Sequence, residues 1–377
     1  MSRAMRCLRA VRRCPLFTSA MALLLALAVA AALLPARDIS QMENRVLQKL
    51  SAPTVSSVLS GRFMTAAETA LSDQFPLRDR FVQLNLLRDV ALLRREFNGI
   101  LRCGDRLLAA CDALDGEQAL RAVEALVEIQ RACAVPMTLL LAPLPSRLYA
   151  ASLPAHYEAD DQAALTETLR AAAGDSILFL DCYAAMAAQP DPEALYYRTD
   201  HHWTAEGARC AYERLAAAWG FSPALPDNRL YASGFYGSYY ARAPFPFFAP
   251  DTLCFDRFDN LVYCIDGQAQ SGLWDEEALA GRDKYAALLY GNHGRATLLN
   301  QSGAASGTLL VLKDSYANAL LPALAQHYER LEIVDPRYYA GDLRALLEET
   351  EAEEILCIFG MNTFLTDRSL SLLAAGL

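Results

Sequence analysis

Basic charge is scarce in most of this 377-residue chain. Six of its 34 lysines and arginines (Arg3, Arg6, Arg9, Arg12, Arg13 and Arg37) fall within residues 1–37, where there is no acid, so the remainder sets 28 bases against 44 acids. A body that acidic excludes nucleic acid as a partner, because such binding depends on neutralising phosphates. Charged residues make up only 21% and hydrophobic residues 54%, which excludes disorder and leaves ample material for a core. The ten cysteines contain no Cys-x-x-Cys pair, so zinc ribbons and thioredoxin-like exchange are excluded. Cys103/Cys111 and Cys254/Cys264 are close enough in sequence to pair in an oxidising compartment, and each is equally well read as a small buried hydrophobe. The Gly-x-Ser-x-Gly turn of many serine hydrolases is also missing.

A long apolar run occurs once, at Phe17–Leu34, directly behind the arginine-rich stub. Its length is close to the roughly 20 residues that a membrane crossing needs. The positive-inside rule then makes residues 1–16 a cytoplasmic stub, residues 17–34 a single-pass anchor, and everything after Asp38 extracytoplasmic. A cleaved signal peptide is the competing reading, with Ala28, Ala30 and Ala32 as small residues near a cut. The run, however, exceeds the roughly 7–15 residues of a signal core. No cysteine follows it closely, so lipoprotein anchoring has no support. Residues 35–62 read as a polar tether and 63–377 as the working domain.

From Phe63 to Phe97 apolar residues recur at helical spacing, broken at Pro76, which predicts two amphipathic helices joined at residues 73–76. Helices are then expected at 117–133, 161–173 and 204–218, alternating with apolar strands at 137–142 and 177–180. Residues 220–306 are rich in aromatics, Gly and Pro and have no clear period, which reads as an irregular insertion with short strands, such as 253–265. Alternation resumes with strands at 308–312, 331–334 and 354–359 and helices at 316–328 and 341–351. Fully apolar strands separated by helices predict a parallel sheet with helices on both faces, a three-layer α/β domain. In such sheets the reacting groups sit at the carboxyl ends of the strands.

At one such end, strand Thr308–Leu312 runs into Lys313-Asp314-Ser315-Tyr316 and a helix. A serine there exposes its hydroxyl beside orphan N–H groups that stabilise negative charge. The bland alternative is that Asp314 or Ser315 merely caps the helix. The second element is Tyr196-Tyr197-Arg198-Thr199-Asp200-His201-His202-Trp203-Thr204, which holds two of only five histidines. A serine nucleophile needs an imidazole base, and the imidazole needs a carboxylate to fix its tautomer. Asp200 and His202, two apart, suit those roles, with His201 pointing elsewhere. Two alternatives stand: Asp200 caps a helix and the histidines are incidental, or Asp200, His201 and His202 bind a metal. Adjacent ligands converge poorly on one ion, and no further histidine or carboxylate follows at helical spacing.

Asp200-His201-His202-Trp203 is the signature of the DHHW protein family, part of the SGNH-hydrolase-like superfamily, and the chain also resembles the alginate O-acetylation proteins. The resemblance takes in Glu43-Asn44-Arg45-x-Leu47, Asp73-Gln74-Phe75-Pro76-x-Arg78-Asp79, Pro143-x-Pro145-Ser146-Arg147, Phe235-Tyr236-Gly237-Ser238, Lys313-Asp314-Ser315-Tyr316-Ala317-Asn318 and Asp335-Pro336-Arg337-Tyr338-Tyr339. It implies an SGNH-hydrolase-like (flavodoxin-like) fold with Ser315 as nucleophile, His202 as base and Asp200 as its orienting partner. It also implies Gly237 and Asn292 as oxyanion candidates beside the Ser315 N–H, with Tyr197, Trp203 and Tyr316 lining the cleft. The implied activity is O-acetyl transfer to a cell-envelope polysaccharide. No cofactor is implied; the acetyl donor would be a membrane-bound O-acyltransferase of the MBOAT type. An acetylesterase using the same residues, or a non-catalytic polysaccharide-binding or assembly protein, are the rival readings.

Overall fold

A computed structural model describes residues 14–377 and places them in two compact units. The expected cytoplasmic stub therefore lies largely outside the described residues. The first unit holds residues up to Arg94 together with Pro244–Pro246, and the second the rest.

In the first unit, Pro15–Leu33 is a 19-residue helix without a charged side chain. No helix among the described residues is long and apolar enough to cross a membrane. At 1.5 Å per residue Pro15–Leu33 spans about 28 Å, just short of a hydrocarbon core of about 30 Å. A short hairpin follows (Ile39–Ser40 with Arg45–Val46), and then the helices Arg62–Asp73 and Arg78–Ala91 on either side of Pro76. Two of the sequence motifs meet here. Buried Asp73 accepts both Arg45 guanidinium nitrogens (2.5 and 2.9 Å) and the Gln48 N–H (2.8 Å), and Arg78 pairs with Glu43 at 2.7 Å. The Arg45 hydrogen bonds, against the cost of burial, hold the Asp73 carboxyl down at about 2.

The second unit is built on an eight-stranded sheet: β1 Met137–Ala142, β2 Leu178–Asp181, β3 Leu261–Ile265, β4 Gln268–Ala269, β5 Arg295–Asn300, β6 Thr308–Lys313, β7 Arg330–Val334 and β8 Ile355–Gly360. Their spatial order is β4-β3-β5-β7-β6-β8-β1-β2. The five strands from β7 to β2 are parallel. The alternating pleat divides their side chains between two faces. Leu309, Val311, Leu331, Ile333, Leu356 and Ile358 pack with Ala208, Ala211 and Leu215 of helix Ala205–Trp219. Leu310, Leu312, Val334, Ile355, Cys357 and Phe359 pack with Ala122, Leu126 and Ile129 of helix Gly116–Cys133. These side chains are essentially fully buried, each Leu, Ile, Val or Phe stabilising the fold by about 1.5–3 kcal/mol before entropy is counted. Helices begin where Asp115, Asp161, Thr204 and Asp342 accept backbone N–H groups two or three residues on, each cap contributing about 1 kcal/mol.

The sheet is mixed rather than wholly parallel, because β3, β4 and β5 extend it antiparallel. All three come from the aromatic-rich insertion. Parallel pairing needs a crossover of about a dozen residues or more, whereas the insertion supplies hairpins. The β3–β4 turn is Asp266-Gly267, both at positive φ as a type I′ turn requires. The short-strand stretch expected at 253–265 divides between two sheets, since Asp251–Arg257 pairs with Asn228–Phe235 in a separate ribbon. Nor is 316–328 one helix. Pro322 restarts the chain, leaving a 3-10 turn (Ser315–Ala319), one α-turn (Leu321–Leu324) and another 3-10 turn. The nine described cysteines are unpaired.

Candidate active site

Two segments converge at the carboxyl edge of the parallel strands. The first is the loop Arg198–Trp203, closed by a bridge between Tyr196 and Trp203, with the Tyr197 N–H donating to the His202 carbonyl at 3.2 Å. Buried Asp251 clamps this loop, accepting the Arg198 and Thr199 N–H groups (3.1 and 2.8 Å) and the Thr199 hydroxyl (2.5 Å). Sequence reasoning passed over Asp251, which lies in the stretch without a period.

The second is the turn after β6. Buried Asp314 spends its carboxylate on structure: Oδ1 accepts the Tyr316 N–H, and Oδ2 accepts the Gly360 N–H and the Thr363 hydroxyl. Capping therefore falls to Asp314. The Ser315 hydroxyl is left free to meet His202 Nε2 at 2.7 Å, and His202 Nδ1 lies 2.5 Å from Asp200 Oδ1. A carboxylate only accepts, so Nδ1 carries the proton and Nε2 presents its lone pair to the serine. Asp200 also accepts the N–H of His202 on Oδ1 (2.9 Å) and that of Ser238 on Oδ2 (2.6 Å). Burial would raise its carboxyl, but the two facing histidines and these hydrogen bonds outweigh that and hold it well below the usual carboxylate range. Asp200 stays ionised where an orienting carboxylate must.

Gly237 is brought to the site in a different role from the one expected. Its N–H donates to the Thr199 hydroxyl at 3.0 Å, so it is not available to an oxyanion. A Cβ at this position would lie 2.2 Å from the Asp200 Cβ; only glycine lets Ser238 approach the carboxylate so closely. The Ser315 N–H has no acceptor among the described residues and remains the candidate oxyanion donor. Asn292 is partly buried, its Oδ1 held by Lys313 Nζ at 2.8 Å. The same ammonium reaches Asn318 Oδ1 at 2.9 Å; burial brings it down to about 8 despite nearby Asp335.

The aromatic candidates pack behind the site instead of lining a cleft. Trp203 is fully buried and donates Nε1–H to the Tyr316 carbonyl at 2.9 Å, and buried Tyr316 donates its hydroxyl to the His201 carbonyl. Tyr197 stands edge-on to Phe235 and Tyr285. Tyr316 meets His202 at a tilt, with ring centroids 5.2 Å apart, whereas Tyr285 is stacked flat on it at 3.7 Å. The position of Tyr285 inside the insertion gave no periodic signal. His201 is also part of the cluster, its Nδ1 2.7 Å from Ser238 Oγ. Asp200, His201 and His202 lie close enough to share an ion. However, both carboxylate oxygens and His202 Nδ1 are already engaged in one another or in backbone N–H groups.

Residues 179–334 match the DHHW protein family, and residues 107–229 match the SGNH hydrolase-like domain of acetyltransferase AlgX. The chain is similar to both families. Among solved structures, a DHHW family protein from Eubacterium siraeum superimposes with a TM-score of 0.63 at 18% identity, covering 74% of this chain and 96% of that one. PatB1 from Bacillus cereus follows with a TM-score of 0.59 at 19% identity, covering 72% and 98%. Both likenesses are of fold. In sequence, the chain is similar to a probable alginate O-acetylase AlgJ from Pseudomonas syringae pv. tomato, 26% identical over 183 residues, 46% of this chain and 47% of that protein. Its counterpart from Pseudomonas fluorescens is 29% identical over 171 residues, 43% of each. The chain thus spans less than half the length of the curated relatives it matches.

Proposed function

We propose that this chain is an O-acetyltransferase that works through an acetyl-serine intermediate. The observation that carries the reading is the unbroken hydrogen-bond chain Asp200–His202–Ser315, at 2.5 and 2.7 Å. Ser315 Oγ attacks the acetyl carbonyl carbon while His202 Nε2 takes the hydroxyl proton, and the Ser315 N–H receives the oxyanion. Collapse of the tetrahedral adduct breaks the bond to the leaving group, which departs with the proton from His202. An acceptor hydroxyl then attacks the acetyl-serine, His202 takes its proton, and Ser315 is released with that proton returned. A purely binding role would not need a base within hydrogen-bond reach of the serine.

An envelope polysaccharide is the acceptor in this reading, supported by the similarity to two proteins named probable alginate O-acetylases. A membrane-bound O-acyltransferase of the MBOAT type would supply the acetyl group. A membrane anchor on the N-terminal side is part of this reading, supported by the uncharged, apolar sequence of residues 17–34 behind an arginine-rich stub. The test is to incubate the protein with a chromogenic acetyl ester, with and without acceptor oligosaccharide, and to follow the Ser315 peptide by mass spectrometry. The expected result is a gain of about 42 Da on that peptide, lost faster when acceptor is present. Ester turnover unchanged by Ser315→Ala overturns the reading, and acetate release that ignores the acceptor makes the chain an esterase.

A further inference from the structure

The face-to-face stack of Tyr285 on His202 calls for an explanation that packing alone does not give. The ring planes differ by only 10° at 3.7 Å, whereas the other buried aromatic contacts of this cluster are edge-on or tilted. Tyr285 sits in the turn Lys284–Ala287, and its hydroxyl donates to the Ser315 carbonyl at 3.2 Å. One side chain thus covers the imidazole with its face and ties down the backbone of the serine with its tip.

We infer that Tyr285 is a positioning residue that acts through His202: its ring favours the imidazolium and keeps Nε2 aimed at Ser315, while its hydroxyl fixes the serine's backbone. This rests on the acyl-transfer reading for its consequence in catalysis, though not for its effect on the imidazole. A cation over an aromatic face is attracted by the ring's quadrupole, and a neutral imidazole far less so. The stack therefore strengthens His202 as a base and stabilises the state in which it holds the serine's proton. Burial keeps the Tyr285 phenol neutral far above the physiological range, so the ring brings no charge of its own. The other groups facing His202 are Asp200 and His201 on its own segment and Ser315 and Tyr316 after β6. Asp314 adds its field at Tyr285, and Arg337 and Arg242 add theirs at His201. None of these groups is replaced when position 285 is altered, and Phe and its fluorinated analogue both lack the hydroxyl that ties Ser315, so their comparison isolates the ring.

The ring and the hydroxyl are separable. Tyr285→Phe keeps the stack and loses the strap. Tyr285→Leu loses both, and 3,4,5-trifluorophenylalanine at 285 keeps the shape of Phe while emptying the ring's face of charge. Histidine ring signals of the full chain, labelled with [15N]histidine and assigned with His202→Gln, are titrated by NMR for each. The expected result is that His202 titrates lower by about half a unit to one unit, three- to ten-fold in its protonation equilibrium, in the fluorinated and Leu variants relative to Phe. With a chromogenic acetyl ester the acid limb of kcat/KM moves by the same amount and KM stays put. A fluorinated variant that titrates with Phe overturns the inference, even where Leu fails to fold. The titration needs no turnover, so a shifted ring in an inactive chain sinks acyl transfer while the stack's effect stands.

Discussion

Two adjacent histidines each hold a serine in this molecule, and they make opposite uses of the same carboxylate. His202 gives Nδ1 to Asp200 and keeps Nε2 for Ser315, so carboxylate, ring and hydroxyl form a line. His201 meets Ser238 with Nδ1 itself, and that same nitrogen is 3.4 Å from Asp200 Oδ1. No carboxylate backs its other nitrogen among the described residues. The serines differ as well. Ser315 stands just after β6, its N–H without an acceptor among the described residues, whereas Ser238 opens a short helix and spends its N–H on Asp200. A serine beside a histidine is therefore not a nucleophile by proximity: the carboxylate must sit on the far nitrogen, and the hydroxyl must lie where charge can develop.

The sharpest way to break this comparison is to remove one serine at a time. If Ser315 is the nucleophile of the proposed reaction, Ser315→Ala should cut turnover of a chromogenic acetyl ester by on the order of 10⁶-fold, leaving only binding and oxyanion contributions. His202→Ala should match it, and the two together should cost little more than either. Ser238→Ala with comparable loss would make the second pair catalytic and undo the contrast. Next in size is Gly237→Ala. Its methyl group must displace the Asp200 carboxylate, so activity should fall by about 100-fold, with a stability loss of about 2 kcal/mol read from urea midpoints. Smaller again are His201→Gln and Ser238→Ala, each expected to reduce kcat/KM by about three-fold or less, because neither touches the reacting atoms.

The parallel half of the second unit and the pairing of Ser315 with His202 were legible because each leaves a local trace. Fully apolar strands announce burial on both faces, and an Asp two residues before a His announces a carboxylate near an imidazole. Outside the motif Phe235–Ser238 the insertion left no such trace. Asp251 and Tyr285 act on the site from stretches without periodicity, and their roles arise only when distant loops close on one another. The long helix expected after Ser315 shows a different gap. Helical spacing continued through Pro322, but a proline inside the pattern marked a restart. With one 3-10 turn behind Ser315, the charge stabilisation available there comes from individual N–H groups rather than from a helix dipole. Gly237 was placed at the site by its motif and given the wrong task, because a glycine that admits a neighbour's backbone and one that offers its own N–H look alike in sequence.

A last difference between the two histidines, read in stability and not in turnover, tests the environment of His201 instead of its chemistry. Burial, with His202 beside it, lowers the His201 imidazole from its ordinary value near 6.5 to about 4, although Asp200 pulls the other way. As pH falls, the unfolded chain takes up this proton first, so stability is full above pH 6.5, declines between 6.5 and 4, and then levels off. Asp73, held at about 2, gives way only below its ordinary 3.8, so the two windows do not overlap. Between pH 7 and pH 5 the wild type should lose about 2 kcal/mol more than His201→Gln, which has no ionising ring at that position. His327, also lowered by burial, leaves a shallower slope in both proteins. Urea midpoints at the two pH values decide the matter. Equal losses would mean that His201 protonates freely in the folded chain, and the contrast between the two histidines would then rest on geometry alone.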